Sequence, residues 1–216
     1  MSNSNAEGQN PLYPIFLKLH TLRMLLVGAG EVGYEKLSFI LKSSPDAQIT
    51  VVAPRVSAEV EELVARSAAV RLIRRPFLSD DLRGKDLVIA ATDQPEVNVY
   101  VRNESRKRGI LVNVADTPDL CDFYLGSIVT RGNLKVAIST NGQSPTFAKR
   151  FRQVLEAVLP EETGDLLEHL KVVRDRLTGD FSSKIRQLNA LTATLAEQSH
   201  PLAEAPDPAP AGKVLP

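Results

Sequence analysis

The chain has 216 residues, 43% hydrophobic and 24% charged, enough for one good-sized domain with an appendage or for two small ones. Its 26 Lys and Arg balance 26 Asp and Glu, so no global field draws it to nucleic acid or to an anionic membrane. The single cysteine, Cys121, excludes an internal disulfide and an all-cysteine metal site within one chain, and points to a reducing, cytoplasmic setting. No run reaches the roughly 18 apolar residues of a membrane helix. Residues 1–10 lack the basic-then-apolar pattern of a secretion signal and read as a disordered polar leader. Residues 200–216, rich in Pro and Ala, read as an unstructured tail.

Between these ends, Met24–Val27 is an apolar strand ending at Gly28, followed by a helix over Glu31–Lys42. That helix would bury Gly33, Leu37, Ile40 and Leu41, spaced i, i+4, i+7 and i+8. Ser44–Pro45–Asp46 breaks it, and Ile49–Ala53 is a β-branched strand stopped by Pro54. Ser57 caps a helix through Arg66, with Val60, Leu63 and Val64 inward. Arg71–Arg74 and Leu87–Ala91 are further strands, Pro95–Arg108 a helix closed by Gly109, and Leu111–Val114 a fifth strand. Such alternation in near-continuous apolar runs predicts an α/β fold: a Rossmann-like, doubly wound parallel sheet covered on both faces. After Asp116 the pattern changes. Phe123–Thr130 and Leu134–Ser139 form a hairpin about Arg131–Gly132–Asn133. Ser144–Pro145 opens a helix to Leu159, ended by Pro160, and helical stretches follow over Gly164–Leu177 and Phe181–Gln198. The expected division is 11–118, 119–160 and 161–199.

Gly28–Ala29–Gly30–Glu31–Val32–Gly33 is G-x-G-x-x-G between a strand and a helix. Its glycines suit a tight turn, close approach of backbone to a pyrophosphate, and close helix–strand packing; the helix N-terminus then faces the phosphates. The acidic residue expected about 20 residues further on, for the adenosine ribose, is missing: the strand ends Ala53–Pro54–Arg55. Arg55 there stacks on adenine, meets a ribose 2′-phosphate, or stands as a solvated loop residue, which leaves NAD and NADP both open. Ala90–Ala91–Thr92–Asp93 ends the fourth strand at the ligand-binding edge, where Thr92 and Asp93 serve the cofactor or merely cap the next helix. Asp116, directly after the fifth strand, is a candidate general base, with a structural loop aspartate as the alternative. His20, His169 and His200 are scattered, which argues against a metal site. Cys121 reads as a small core residue rather than a nucleophile. The basic stretch Arg131, Lys135, Lys149, Arg150 and Arg152 is either a solvated face or a binding surface for a polyanionic substrate.

Together these residues resemble the dehydrogenase/ferrochelatase part of siroheme synthase, the precorrin-2 dehydrogenase family. The matching stretches are Pro14–Leu17, the glycine motif, Ala91–Asp93, Asn113–Asp116 and Val136–Pro145, the last being the most specific. The resemblance implies NAD-dependent oxidation of precorrin-2 to sirohydrochlorin, with ferrous iron inserted as well by some members. It implies Asp116 as catalytic residue and Glu31, Val32, Pro54 and Arg55 as cofactor contacts beside the glycines, Thr92 and Asp93. Asn113, Ser139 and Thr140 are expected on the substrate side, Thr140 matching a serine position of the family. It also implies a homodimer in which hairpin and helices are exchanged. Longer members carry a methyltransferase, for which this chain is too short. The rival expectation is an NAD-sensing regulatory Rossmann module, which needs neither Asp116 nor Ser139–Pro145.

Overall fold

The computed structural model describes residues 10–197; the leader 1–9, the tail from 200 on and the expected helical residue Gln198 lie outside them. Leu25, Leu26, Val51, Val52, Val88 and Ile89 are all fully buried, so successive residues of one strand are hidden on opposite sides, as a sheet covered on both faces requires. Each such side chain contributes about 1.5–3 kcal/mol on leaving water. The strands are β1 (Arg23–Ala29), β2 (Gln48–Val56), β3 (Val70–Ile73), β4 (Leu87–Ala90) and β5 (Leu111–Val114). They pair in parallel in the order β3-β2-β1-β4-β5. Two helices, α1 (Glu31–Ser43) and α2 (Ala58–Arg66), cover the face carrying Leu26, Val51 and Ile89. The face carrying Leu25, Val52 and Val88 packs against Val101 of α3 (Pro95–Lys107). Strand order reverses beside β1, which opens a crevice at the carboxyl ends of β1 and β4.

After β5 come β6 (Ser127–Arg131) and β7 (Leu134–Ile138), then α4 (Pro145–Val158), α5 (Thr163–Arg176) and α6 (Phe181–Glu197). Of the described residues, those up to Thr130 with Lys135–Leu159 form one compact unit, and Arg131–Leu134 with those from Pro160 to Glu197 another. Within the second, a Cβ on Gly132 would lie 2.7 Å from the Gly164 Cα, so the hairpin tip and the start of α5 meet backbone to backbone. Ser144 caps α4 by accepting from the Phe147 amide at 3.1 Å, and Ser57 caps α2 through the Val60 amide at 3.4 Å. Among the described residues no helix is long and apolar enough to cross a membrane.

Two boundaries differ by three residues or more from the sequence expectation. Pro54 does not stop β2. The strand continues because β1 still runs alongside: the register shifts after Val27, Ala29 then faces Val56, and the Ser57 amide donates to the Ala29 carbonyl at 2.9 Å. The last β3 pairing is Val52 with Ile73, so the N–H that proline lacks has no ladder acceptor on that side. The hairpin strand expected from Phe123 begins only at Ser127. The Asn113 side chain holds the Phe123 carbonyl at 2.8 Å, which commits this stretch to β5 rather than to β7.

A fork of hydrogen bonds frames the approach to β4. The Arg75 guanidinium donates to both oxygens of Asp81, at 2.8 and 2.5 Å, and the Leu78 amide donates to one of them at 2.9 Å. Burial pushes the Asp81 carboxyl up, but these bonds outweigh it and hold the group below the usual carboxylate range. A carboxyl lowered in the folded state stabilises the fold above its unfolded pKa, about 3.9, and loses that contribution as pH falls through the folded value. The Asp81 side chain is 8% exposed, so Asp81→Asn is expected to cost about 1–3 kcal/mol near neutral pH. Urea unfolding checks this: the gap between wild type and variant should begin to narrow below about pH 4 and close only as the pH falls through the lowered folded value.

Candidate functional site

At the switch point β1 runs into the glycine turn. Gly28 has φ +106°, and a Cβ there would sit 2.2 Å from the Ala91 carbonyl oxygen. A Cβ on Gly33 would lie 2.4 Å from the Gly28 carbonyl, so this glycine brings α1 against the strand. Gly30 is different: its φ of −88° suits any residue, and a Cβ would meet nothing within 4 Å. Among the described residues nothing demands glycine at 30, and the amides at the start of α1 lack intrahelical acceptors, an arrangement suited to an anionic ligand.

The turn opens on a cavity of about 650 Å³, within the range of small-molecule and cofactor sites. Of the cofactor residues expected from sequence, Gly28, Gly30, Glu31, Val32, Pro54, Arg55, Thr92 and Asp93 line it, and Gly33 does not. Arg55 and Asp93 face each other at 3.6 Å with side chains 82% and 77% exposed, a pair that contributes little and opens readily. No acidic residue follows Ala53 at the ribose position. Thr92 is held from behind: its hydroxyl donates to Asn98 Oδ1 at 2.8 Å and accepts from the Gln94 amide at 3.2 Å, while Asn98 Nδ2 donates to the Thr92 carbonyl at 3.1 Å. Sequence reasoning missed Asn98, Phe77 and Tyr100. The two rings meet edge to face at 5.8 Å and wall the cavity beside Pro76, the stretch framed by Arg75 and Asp81.

Asp116 does not line this cavity. It lines a second one, of about 430 Å³, with Asn113, Ser139, Thr140 and Tyr124. The two adjoin. Glu31 and Val32 border the first cavity, while Glu35 and Lys36, one turn along α1, border the second. At the sheet edge the Ala115 amide donates to the Ala90 carbonyl at 2.9 Å, which sets the residue before Asp116 against the end of β4. Asp116 has φ 57° in a turn closed by the Thr117 amide on the Val114 carbonyl at 3.2 Å. Turn positions with positive φ favour glycine or asparagine, so a carboxylate here costs of order 1 kcal/mol, and such residues concentrate at functional sites.

The neighbouring side chains divide their tasks. Asp122 accepts from Arg106 at 2.7 Å and from the Val112 amide at 3.1 Å, so it locks the loop to β5. Asn113 Nδ2 holds the Phe123 carbonyl. Ser139 accepts from the Asn141 amide at 3.2 Å and Thr140 from the Ser144 amide at 3.1 Å, which shapes the bend into α4. The Cys121 thiol donates to the Val114 carbonyl at 3.2 Å, and burial pushes it up, away from nucleophile chemistry. The expected basic stretch lines neither cavity. Lys135 instead donates to the Ser43 carbonyl and hydroxyl at the end of α1, Arg152 pairs with Glu156 at 2.5 Å, and Arg150 bonds Gln153 at 3.2 Å.

A glycine cradle at the switch point of a 3-2-1-4-5 parallel sheet defines a dinucleotide-binding Rossmann protein, here with a second cleft beside the first. A family model for NAD(P)-binding domains matches residues 15–127, and one for the central part of sirohaem biosynthesis proteins matches residues 131–157. The solved structure of SirC, a precorrin-2 dehydrogenase, superposes with a TM-score of 0.67 and 31% identity, over 83% of this chain and 89% of that one. The siroheme synthases of Methylococcus capsulatus and Nitrosomonas europaea are 41% and 39% identical, over 81% and 78% of this chain. The aligned parts make up 34% and 35% of those proteins, so the chain spans about a third of the length of the curated relatives it matches. This chain belongs to the NAD(P)-binding family that SirC and the corresponding part of the siroheme synthases share.

Proposed function

We propose that the chain oxidises precorrin-2 to sirohydrochlorin with NAD. The observation that carries this reading is the juxtaposition of a glycine cradle and a second cleft holding Asp116 on a strained turn, with α1 and the β4–β5 edge between them. NAD, bound in the cradle, supplies the acceptor for the hydride that leaves the macrocycle. The amides at the start of α1 would hold the pyrophosphate, Arg55 would meet the adenosine end, and Thr92 and Asp93 at the end of β4 would border the cofactor. Asp116 takes the proton released with the hydride, so that each double bond formed in the macrocycle is balanced by one hydride and one proton lost. A regulatory module that only senses NAD needs the cradle and not the cleft.

A homodimer is part of this proposal. Phe147, Phe151, Val154 and Val158 form an exposed apolar stripe along α4, at i, i+4, i+7 and i+11, the pattern of a helix face that packs on a partner. Sedimentation equilibrium is expected to give twice the chain mass, and Phe151→Asp the chain mass.

The decisive assay mixes the protein anaerobically with precorrin-2 and NAD and follows NADH absorbance. Steady NADH formation is expected. NAD binding without turnover would leave only the sensing module.

A further inference from the structure

We infer that Lys36 is the carboxylate anchor of the second cleft, the group that seats a polycarboxylate macrocycle over Asp116. This rests on the tetrapyrrole reading above. The substrate class is polyanionic, and the cleft must therefore meet negative charge with positive charge. Among the described residues, Lys36 is the one cationic side chain lining it, set against the carboxylates of Glu35 and Asp116. The basic residues that sequence suggested for this task lie elsewhere, several of them engaged with other partners.

Lys36 is built to present its charge. It lies on α1 next to buried Leu37, and its side chain is 20% exposed, so the aliphatic stem is packed and few rotamers remain to be lost on binding. The ammonium donates to Glu35 Oε1 at 2.9 Å. Glu35 is 70% exposed and adjacent in sequence, so this contact is weak and screened. It holds the ammonium only until a better carboxylate arrives. A substrate carboxylate displaces Glu35 and forms a charge-assisted bond in a more enclosed place. Glu35 thereby acts as a competitor for the anchor.

Opposite effects from two neighbouring substitutions test this. Lys36→Gln is expected to raise KM for precorrin-2 about ten- to a hundredfold, the loss of one charge-assisted bond, with kcat within about threefold. The dissociation constant for sirohydrochlorin, titrated by absorbance, should rise in parallel, while NAD affinity and the melting temperature stay at wild-type values. Lys36→Arg should recover most of the loss. Glu35→Gln should lower both KM and the sirohydrochlorin dissociation constant about two- to fivefold, the worth of an exposed ion pair. An unchanged KM and unchanged sirohydrochlorin binding in Lys36→Gln would overturn the assignment, and so would a loss of NAD affinity alongside, which marks a structural role. Sirohydrochlorin binding that depends on Lys36 in a protein that makes no NADH would keep the anchor and reject the oxidation. A wild type that neither binds sirohydrochlorin nor forms NADH would remove both.

Discussion

Asp116→Asn is expected to lower turnover of precorrin-2 by about 10²–10⁴-fold, the usual weight of a positioned general base, while NAD affinity stays at the wild-type value. The substitution suits the backbone. Asparagine accepts φ near +57° at least as well as aspartate, so the turn from Val114 to Thr117 survives and a loss of rate reports the lost carboxylate. Alanine lacks that tolerance and would mix strain with chemistry. NAD affinity should hold because Asp116 lines the second cavity and not the first. Measuring kcat with NADH absorbance and NAD binding by calorimetry separates the two. A variant that keeps its rate would take the proton acceptor away from Asp116 and leave the residue as a turn former.

Glycines and strand ends were legible in the sequence because sterics and hydrophobicity act locally there. Gly28 and Gly33 each fill a place that a Cβ cannot, and the apolar runs became β1, β2, β4 and β5. Asp116 was singled out for a similar reason: it is the first acid after β5, with only Ala115 between, whereas Asp122 six residues later is taken up by Arg106 and Val112. What stayed hidden depends on contacts distant in sequence. Pro54 looked like a stop because a strand's end is set by its neighbours, and β1 remains beside β2 past that point. Lys36, outside the apolar face read for α1, carried no signal of its own, because the second cleft is completed by residues scattered between Asn113 and Ala148. Lys135 looked like part of a basic surface and instead closes the end of α1 at Ser43, 92 residues away. Charge in a sequence gives a count; the fold decides which charges face a ligand.

Gly28→Ala and Gly30→Ala, two residues apart in one motif, are expected to fail in different ways. At Gly28 a methyl group would stand 2.2 Å from the Ala91 carbonyl oxygen on a backbone with φ +106°. Neither the β4 end nor the turn can yield, because the Ala91 amide is bonded to the Val27 carbonyl at 2.8 Å. The cost is on the order of 3–5 kcal/mol, a large part of the 5–15 kcal/mol typical of a domain, and it should appear as a lowered melting temperature even without ligand. At Gly30 the backbone is ordinary and the space around a Cβ is empty, so the alanine variant should melt within a few degrees of wild type. Its methyl group would occupy the place where the pyrophosphate approaches the backbone. NAD affinity should then fall about ten- to a hundredfold for each charge-assisted bond lost. Melting curves recorded with and without NAD read both effects: wild type should be stabilised by NAD, Gly30→Ala much less, and Gly28→Ala should start from a lower temperature. Equal stabilisation by NAD in wild type and Gly30→Ala would mean that the dinucleotide lies clear of the glycine turn, since mass action ties the shift to affinity alone.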